Sequence, residues 1–158
     1  MHSVVVLTHG CFDPFHVGHL LHLQSAKALG DVLVVAITHD NFVNKGPHRP
    51  VFTHDQRRSL VKELNCVDRT IIVENSLEAL RRIRPTIFVK GADYQGKIEP
   101  EHEQYCIKHG IKICFTTEPQ YSSTDLLRYY ETLAVVLRYC AVNRSVPLAL
   151  LLRAFWIT

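Results

Sequence analysis

Two apolar runs separated by one helical repeat constrain the fold of this chain more than any other feature. Val4-Val5-Val6 leads through Leu7 to Thr8, and Val32-Leu33-Val34-Val35-Ala36-Ile37 follows a helix's length later. Continuous β-branched runs of this kind suit parallel strands covered on both faces. Between them Leu20, Leu23, Ala26 and Leu29 fall along one stripe, which predicts a helix from roughly Gly18 to Leu29 with Gly30 capping its end. Strand, helix and strand at this spacing make a right-handed parallel crossover unit. No Gly-x-Gly-x-x-Gly follows the first strand, so a dinucleotide site loses its main support.

The turn inside that unit reads Thr8-His9-Gly10-Cys11-Phe12-Asp13-Pro14-Phe15-His16-Val17-Gly18-His19. A strand that breaks into a glycine-bearing turn and then a helix gathers free backbone N–H groups and the positive end of the helix dipole, which favours a phosphate chain. His16 and His19, three residues apart on a first helical turn, can face one side and hold one negative centre with two donors.

The rest of the chain repeats the theme. Thr38-His39-Asp40 ends the second strand, and open α/β sheets place ligands beyond the carboxyl ends of their strands, which makes Asp40 a pocket candidate. Lys45-Gly46-Pro47-His48-Arg49-Pro50 is a loop rich in breakers, either a basic flap over the phosphates or a solvated basic loop. Thr53 and Gln56 form a capping box ahead of a helix Asp55–Asn65, where one of Arg57 and Arg58 is expected to point at the phosphates. A short strand Thr70–Val73 precedes a helix that starts at Ser76 and stops at Arg84-Pro85. The strand Thr86–Lys90 runs into Lys90-Gly91-Ala92-Asp93-Tyr94-Gln95-Gly96-Lys97, again polar past a carboxyl end, before a helix Glu99–His109 and a strand Ile111–Phe115. Tyr121-Ser122-Ser123-Thr124-Asp125 then opens a helix whose hydroxyls either cap it or bind outer phosphates.

These elements predict an α/β fold, a Rossmann-like parallel five-stranded sheet with helices on both faces, over residues 1–131, with a helical C-terminal extension over 132–158. In the extension, Leu126–Tyr139 reads as helix, Asn143-Arg144-Ser145 as a break and Pro147–Trp156 as a second helical segment. Its apolar run is far below the ~20 residues that span a bilayer, and Arg153 interrupts it. It is expected to pack on the domain or on a second subunit, with a membrane-surface contact as the alternative. A net charge of +3 is too small to argue for nucleic acid or an anionic membrane and is compatible with a small anionic substrate. Five scattered cysteines without a Cys-x-x-Cys pair argue against zinc and for reduced thiols in the cytoplasm, and no targeting segment is expected.

Gly10-Cys11-Phe12-Asp13 with His16-Val17-Gly18-His19 resembles the signature of the cytidylyltransferase-like nucleotidyltransferases, which share a His-x-Gly-His element with class I aminoacyl-tRNA synthetases. The resemblance implies a transferase that joins ATP or CTP to a phosphorylated sugar or polyol and releases pyrophosphate. Lys45-Gly46-Pro47-His48-Arg49-Pro50-Val51, Gln56-Arg57, Val89-Lys90-Gly91-Ala92-Asp93-Tyr94 and Ser122-Ser123-Thr124 are similar to segments of the D-glycero-β-D-manno-heptose 1-phosphate adenylyltransferase domains. Glycerol-3-phosphate cytidylyltransferases are the next most similar. Two arginines of theirs are missing here, one before Val67-Asp68 and one at the approach to Glu118. Cys11, Ala92 and Pro119-Gln120 depart from the heptose enzymes, and without a sugar-kinase half the chain is expected to be fed by a separate kinase.

By this resemblance His16 and His19 meet the α-phosphate and leaving oxygens, Lys45 bridges nucleotide and substrate phosphates, and Ser123 and Thr124 hold the departing pyrophosphate. Gly10, Cys11, Phe12, Gly18, Lys90, Gly91, Asp93 and Ser122 join them as nucleotide contacts. Asp13, Asp40, Arg49 and Arg57 are expected at the acceptor. Mg²⁺ is expected to ride on the triphosphate, touched by Asp13 or Asp40, and the family implies a homodimer. A non-catalytic nucleotide-binding regulatory protein is the alternative.

Overall fold

In this computed structural model the structure describes residues 3–118 and 121–142. The chain forms two compact units, Met1–Tyr121 and Ser122–Thr158. The first holds β1 (Val5–Gly10), α1 (Val17–Lys27), β2 (Val32–Thr38), α2 (His54–Lys62), β3 (Arg69–Val73), α3 (Ser76–Ile83), β4 (Ile87–Gly91), α4 (Pro100–His109) and β5 (Lys112–Thr116). In the second unit α5 (Ser123–Val142) runs unbroken through residue 131. Asn143–Ser145 and Pro147–Trp156, read from sequence as a break and a further helix, lie outside the described residues.

The strands form one parallel sheet in the order β3-β2-β1-β4-β5. Side chains alternate across the pleat. Val6, Leu33, Val35, Ile37 and Val89 therefore pack with Leu23 and Ala26 of α1 and Val61 of α2, whereas Leu7, Val34, Ala36 and Phe88 pack with Ala79 and Leu80 of α3 and Cys106 of α4. Both faces are covered, which is why the strands read as continuous apolar runs. The chain winds outward from β1 through β2 to β3, then returns to place β4 on the other side of β1. That reversal opens a crevice past the carboxyl ends of β1 and β4, where sheets of this kind bind ligands.

Helix boundaries follow local chemistry. Thr53 and Gln56 form the reciprocal capping box expected at α2. α3 starts at Ser76 as expected, with Asn75 as its cap, and Arg84 ends that helix in the left-handed region at φ 47°. Gly110 closes α4 at φ 64°, its amide bonding back to Cys106 and Ile107. The expectation for Gly30 is corrected. α1 stops at Lys27 with Ala28 as its cap, and Leu29 is 40% exposed. A Cβ on Gly30 would stand 2.7 Å from Val4 O and from Val6 Cγ2, so this glycine lets the turn cross β1 closely. Among the described residues no helix is long and apolar enough to cross a membrane.

Candidate active site

α1 begins on a histidine. His16 is its N-cap, in extended conformation, and no acidic residue occupies the first turn. His19 N–H donates to His16 Nδ1 at 3.4 Å, and His16 N–H donates to His19 Nδ1 at 3.3 Å. Each Nδ1 is therefore an acceptor, so each neutral ring carries its proton on Nε2. The rings stack with centroids 3.7 Å apart and planes 17° from parallel. Two N–H donors are thus presented together at the start of a helix. The amides of Val17 and Gly18, in that same turn, have no acceptor among the described residues. A Cβ on Gly18 would lie 2.8 Å from Tyr121 Cδ2 and 3.1 Å from His16 Cε1, so only glycine leaves both rings in place.

The surroundings keep these imidazoles neutral. Phe12 meets the His19 ring edge-on at 5.2 Å and Phe15 lies 5.4 Å from it. Burial, reinforced by His16, Lys45 and His22, holds His19 down at about 3. Burial and then Lys45 lower His16 as well. The exposed Lys45 thus acts on both rings through its field.

The loop that carries Lys45 is fastened to the phosphate turn by a buried ion pair. Asp13 is fully buried and its carboxylate accepts from Arg49 Nε at 2.9 Å, Val51 N at 2.8 Å and Phe52 N at 2.9 Å. Arg49 Nη2 also donates to Asp13 O. Arg57 is 3% exposed and donates to Phe52 O at 2.9 Å, Cys11 O at 2.5 Å, Thr38 O at 2.7 Å and Asp40 Oδ1 at 2.7 Å. Asp40 Oδ2 accepts from His54 Nδ1 at 2.9 Å. Burial alone would raise the Asp40 carboxyl, but the bonds from Arg57 and His54 outweigh it and hold it below the usual range. Asp13, Arg49, Arg57 and Asp40, expected at the acceptor, thus spend their polar atoms on bracing three segments against one another. Arg58, the other candidate, is exposed with its Nε 3.3 Å from Thr70 Oγ1.

The remaining expected contacts divide between the two units. Phe12 is 3% exposed at φ 54° and belongs to the core, so its side chain backs His19 and leaves only its backbone for a ligand. Gly10 lies against the Phe12 ring, where a Cβ would meet Phe12 Cζ at 3.1 Å. Cys11 is half-buried, and burial pushes its thiol up. Lys90 is 8% exposed at the end of β4, its Nζ 4.6 Å from the Tyr94 ring centre and 5.3 Å from that of Phe88. Burial brings it down to about 8 against the pull of Glu99 and Asp93. A Cβ on Gly91 would collide with Asp93 Oδ1, and Asp93 itself is exposed. Ser122 caps α5 within the second unit, its Oγ accepting from Asp125 N at 3.2 Å, with Ser123 and Thr124 in the first turn.

Sequence reasoning did not single out three further histidines. His22, one turn behind His19, bridges Thr8 Oγ1 at 2.7 Å and Thr116 Oγ1 at 2.8 Å. The i, i+3 spacing on α1 was the available signal. His39 and His54 stack beside Asp40 with ring centres 4.2 Å apart. Among the described residues no group of three or more His, Cys, Asp or Glu is placed to hold a metal ion.

A parallel sheet with paired imidazoles on a strand-to-helix turn at its switch point defines a nucleotide-phosphate-binding α/β protein. The chain belongs to the cytidylyltransferase-like family, whose model matches residues 7–129. It is 43% identical over 97 residues to the bifunctional protein HldE of Helicobacter pylori (strain P12), which covers 59% of this chain and 21% of that protein. The HldE of Campylobacter fetus subsp. fetus is 44% identical over 99 residues, 60% of this chain and 22% of the relative. The chain thus spans about a fifth of the length of these curated relatives. Among solved structures, the lipopolysaccharide core biosynthesis protein of Thermoplasma volcanium superposes with a TM-score of 0.62 at 30% identity, over 77% of this chain and all of that one. Pantothenate synthetase of Thermus thermophilus, at 14% identity and a TM-score of 0.56 over 76% of this chain and 57% of its own, shares the fold.

Proposed function

We propose that this chain transfers the nucleoside monophosphate of ATP to a phosphorylated sugar, as a heptose 1-phosphate adenylyltransferase does, and releases pyrophosphate. The stacked His16 and His19, with both protons directed to Nε2, carry the reading. A phosphate monoester oxygen of the acceptor forms the new bond to the α-phosphorus, and the bond from that phosphorus to the bridging oxygen of the β-phosphate breaks. The monoester is already a nucleophile at neutral pH, so the chain need supply no strong base. Its task is orientation and charge neutralisation at the α-phosphate. Neutral His16 and His19 donate there, and Lys45 adds positive charge from the pinned loop.

Asp13 is fully buried and Asp40 is held by Arg57 and His54, so neither carboxylate is given a metal in this proposal. Mg²⁺ in this proposal accompanies the triphosphate without a carboxylate from either. The relatives named for lipopolysaccharide core biosynthesis and HldE support a sugar phosphate as acceptor. ATP is favoured over CTP because the two arginines of the glycerol-3-phosphate cytidylyltransferases are absent. The free Cys11, Cys66, Cys106 and Cys114 support a cytoplasmic setting, and a homodimer is proposed on the family resemblance alone.

Pyrophosphate release tests the reading, with ATP and CTP crossed against heptose 1-phosphate, glycerol 3-phosphate and other phosphorylated alcohols. His19→Ala is expected to lower kcat by about 10²–10³ on the best pair, the usual loss of one preorganised donor. Turnover near wild type would remove the imidazoles from the chemistry.

A further inference from the structure

Beyond the phosphate turn, His39 just past β2 and His54 at the start of α2 form a second stacked histidine pair that the reaction above leaves unused. His39 and His54 stand with ring centres 4.2 Å apart and planes 28° from parallel. Both are only partly buried. Asn41 N–H donates to His39 Nδ1 at 3.2 Å, so the neutral His39 ring carries its proton on Nε2. His54 Nδ1 lies 2.9 Å from Asp40 Oδ2, and a carboxylate only accepts, so this nitrogen holds the His54 proton. The Nε2 of neutral His54 is therefore a lone-pair acceptor. Asp55 Oδ2, 3.9 Å from it, is beyond hydrogen-bond range. One ring thus offers a donor and its neighbour an acceptor, and neither Nε2 has a hydrogen-bond partner among the described residues.

This pair is tied to the phosphate turn. The Arg57 guanidinium that grips Asp40 also grips Thr38 O and Cys11 O, and β2 lies directly beside β1. The rings therefore stand past the carboxyl end of the strand next to the one that leads into the His16 and His19 turn. Phe42, 49% exposed, stands edge-on to His39 at 6.1 Å and adds an apolar wall. A few convergent polar groups against an aromatic wall are what a small-molecule subsite requires.

We infer that His39 and His54 form the subsite for the hydroxyl-bearing end of the acceptor. The inference rests on the transferase reading above and specifies what the acceptor must present. A phosphate dianion can only accept, so it cannot use both nitrogens of a donor and acceptor pair. A hydroxyl both accepts and donates, and so satisfies the two rings together. The acceptor is thus a phosphorylated polyol or sugar with a free hydroxyl held at this pair while its phosphate meets the His16 and His19 turn.

The test uses His39→Phe and His54→Phe, which keep a stacked ring and remove the nitrogens. Pyrophosphate release is followed with ATP or CTP against heptose 1-phosphate, glycerol 3-phosphate and n-propyl phosphate, which carries no hydroxyl. Each variant is expected to lower kcat/KM for the hydroxylated acceptor about tenfold, the effect of one hydrogen bond, with the nucleotide KM unchanged. The double variant should no longer distinguish glycerol 3-phosphate from n-propyl phosphate. Unchanged acceptor kinetics in a variant that melts like wild type would overturn the subsite and leave the transferase reading standing. If no pair releases pyrophosphate the transferase reading falls. The subsite is then judged, as it is if a variant fails to fold, by histidine ¹⁵N spectra of the wild-type chain titrated with glycerol 3-phosphate and heptose 1-phosphate. Saturable shifts at His39 and His54 Nε2 support it, and unmoved resonances overturn it.

Discussion

Replacing Asp13 by alanine should loosen the Lys45 loop at a cost set by burial. Asp13 is fully buried and the Arg49 side chain is 6% exposed, so water cannot screen the pair. That separates it from surface ion pairs, worth about 0–1 kcal/mol, and groups it with buried pairs whose broken form costs about 3–5 kcal/mol. The substitution also orphans the amides of Val51 and Phe52, at about 1–3 kcal/mol each if they stay dry. Both residues are nearly half exposed, however, and once the loop lifts water reaches their N–H groups. The loss is therefore capped near ~3–5 kcal/mol rather than summing further. Urea unfolding of Asp13→Ala, Arg49→Ala and the double variant gives the coupling, expected at about 2 kcal/mol or more because the double variant removes the stranded cation. Hydrogen exchange should show Val51 and Phe52 amides losing protection in Asp13→Ala. A coupling below about 1 kcal/mol with those amides still protected would refute the claim that this pair fastens the loop.

Three other outcomes follow from particular groups. His9 and His19 both sit at about 3 in the fold against 6.5 when free, so the unfolded chain takes up their protons first. Stability is then lost as pH falls from about 6.5 toward 3, by up to ~1.4 kcal/mol per pH unit for each ring, and His9→Gln should flatten the urea midpoint profile by one proton's worth. Lys90, lowered to about 8 by burial, should show that value in competition labelling with acetic anhydride, and a value near 10.5 would mean the side chain is hydrated. Arg84→Gly should stabilise the chain by ~0.5–1 kcal/mol in thermal unfolding, because Arg84 holds φ 47° as the cap of α3, where glycine avoids the Cβ conflict.

What could be read from the chain was whatever repeats locally. The runs at Val4–Thr8 and Val32–Ile37 correspond to β1 and β2, with the ends shifted by no more than two residues, because a strand covered on both faces needs apolar residues without interruption. The Thr53 and Gln56 box is equally local, a bond between positions three apart. Gly30 looked like a cap for the same reason, yet its constraint comes from Val4, which only the folded β1 brings near. Asp13 and Arg49 are 36 residues apart, and Arg57 reaches 46 residues back to Cys11, so charge in the sequence suggested ligand contacts where the fold had pairing. The stack of His39 on His54 was hidden in the same way, since a stretch of loop and turn parts them in the chain and only Asp40 and Arg57 draw them together. Of the phosphate turn, the residue types were legible. The reciprocal bonds that decide where each proton sits were not.

Those bonds make the initiation of α1 and the readiness of the site one event. Should the first coil of α1 unravel, both Nδ1 atoms lose their backbone partners and each imidazole is free to place its hydrogen on either nitrogen. Under the proposed transfer, winding that single turn sets both protons at once, and fraying it would release them without touching a ligand.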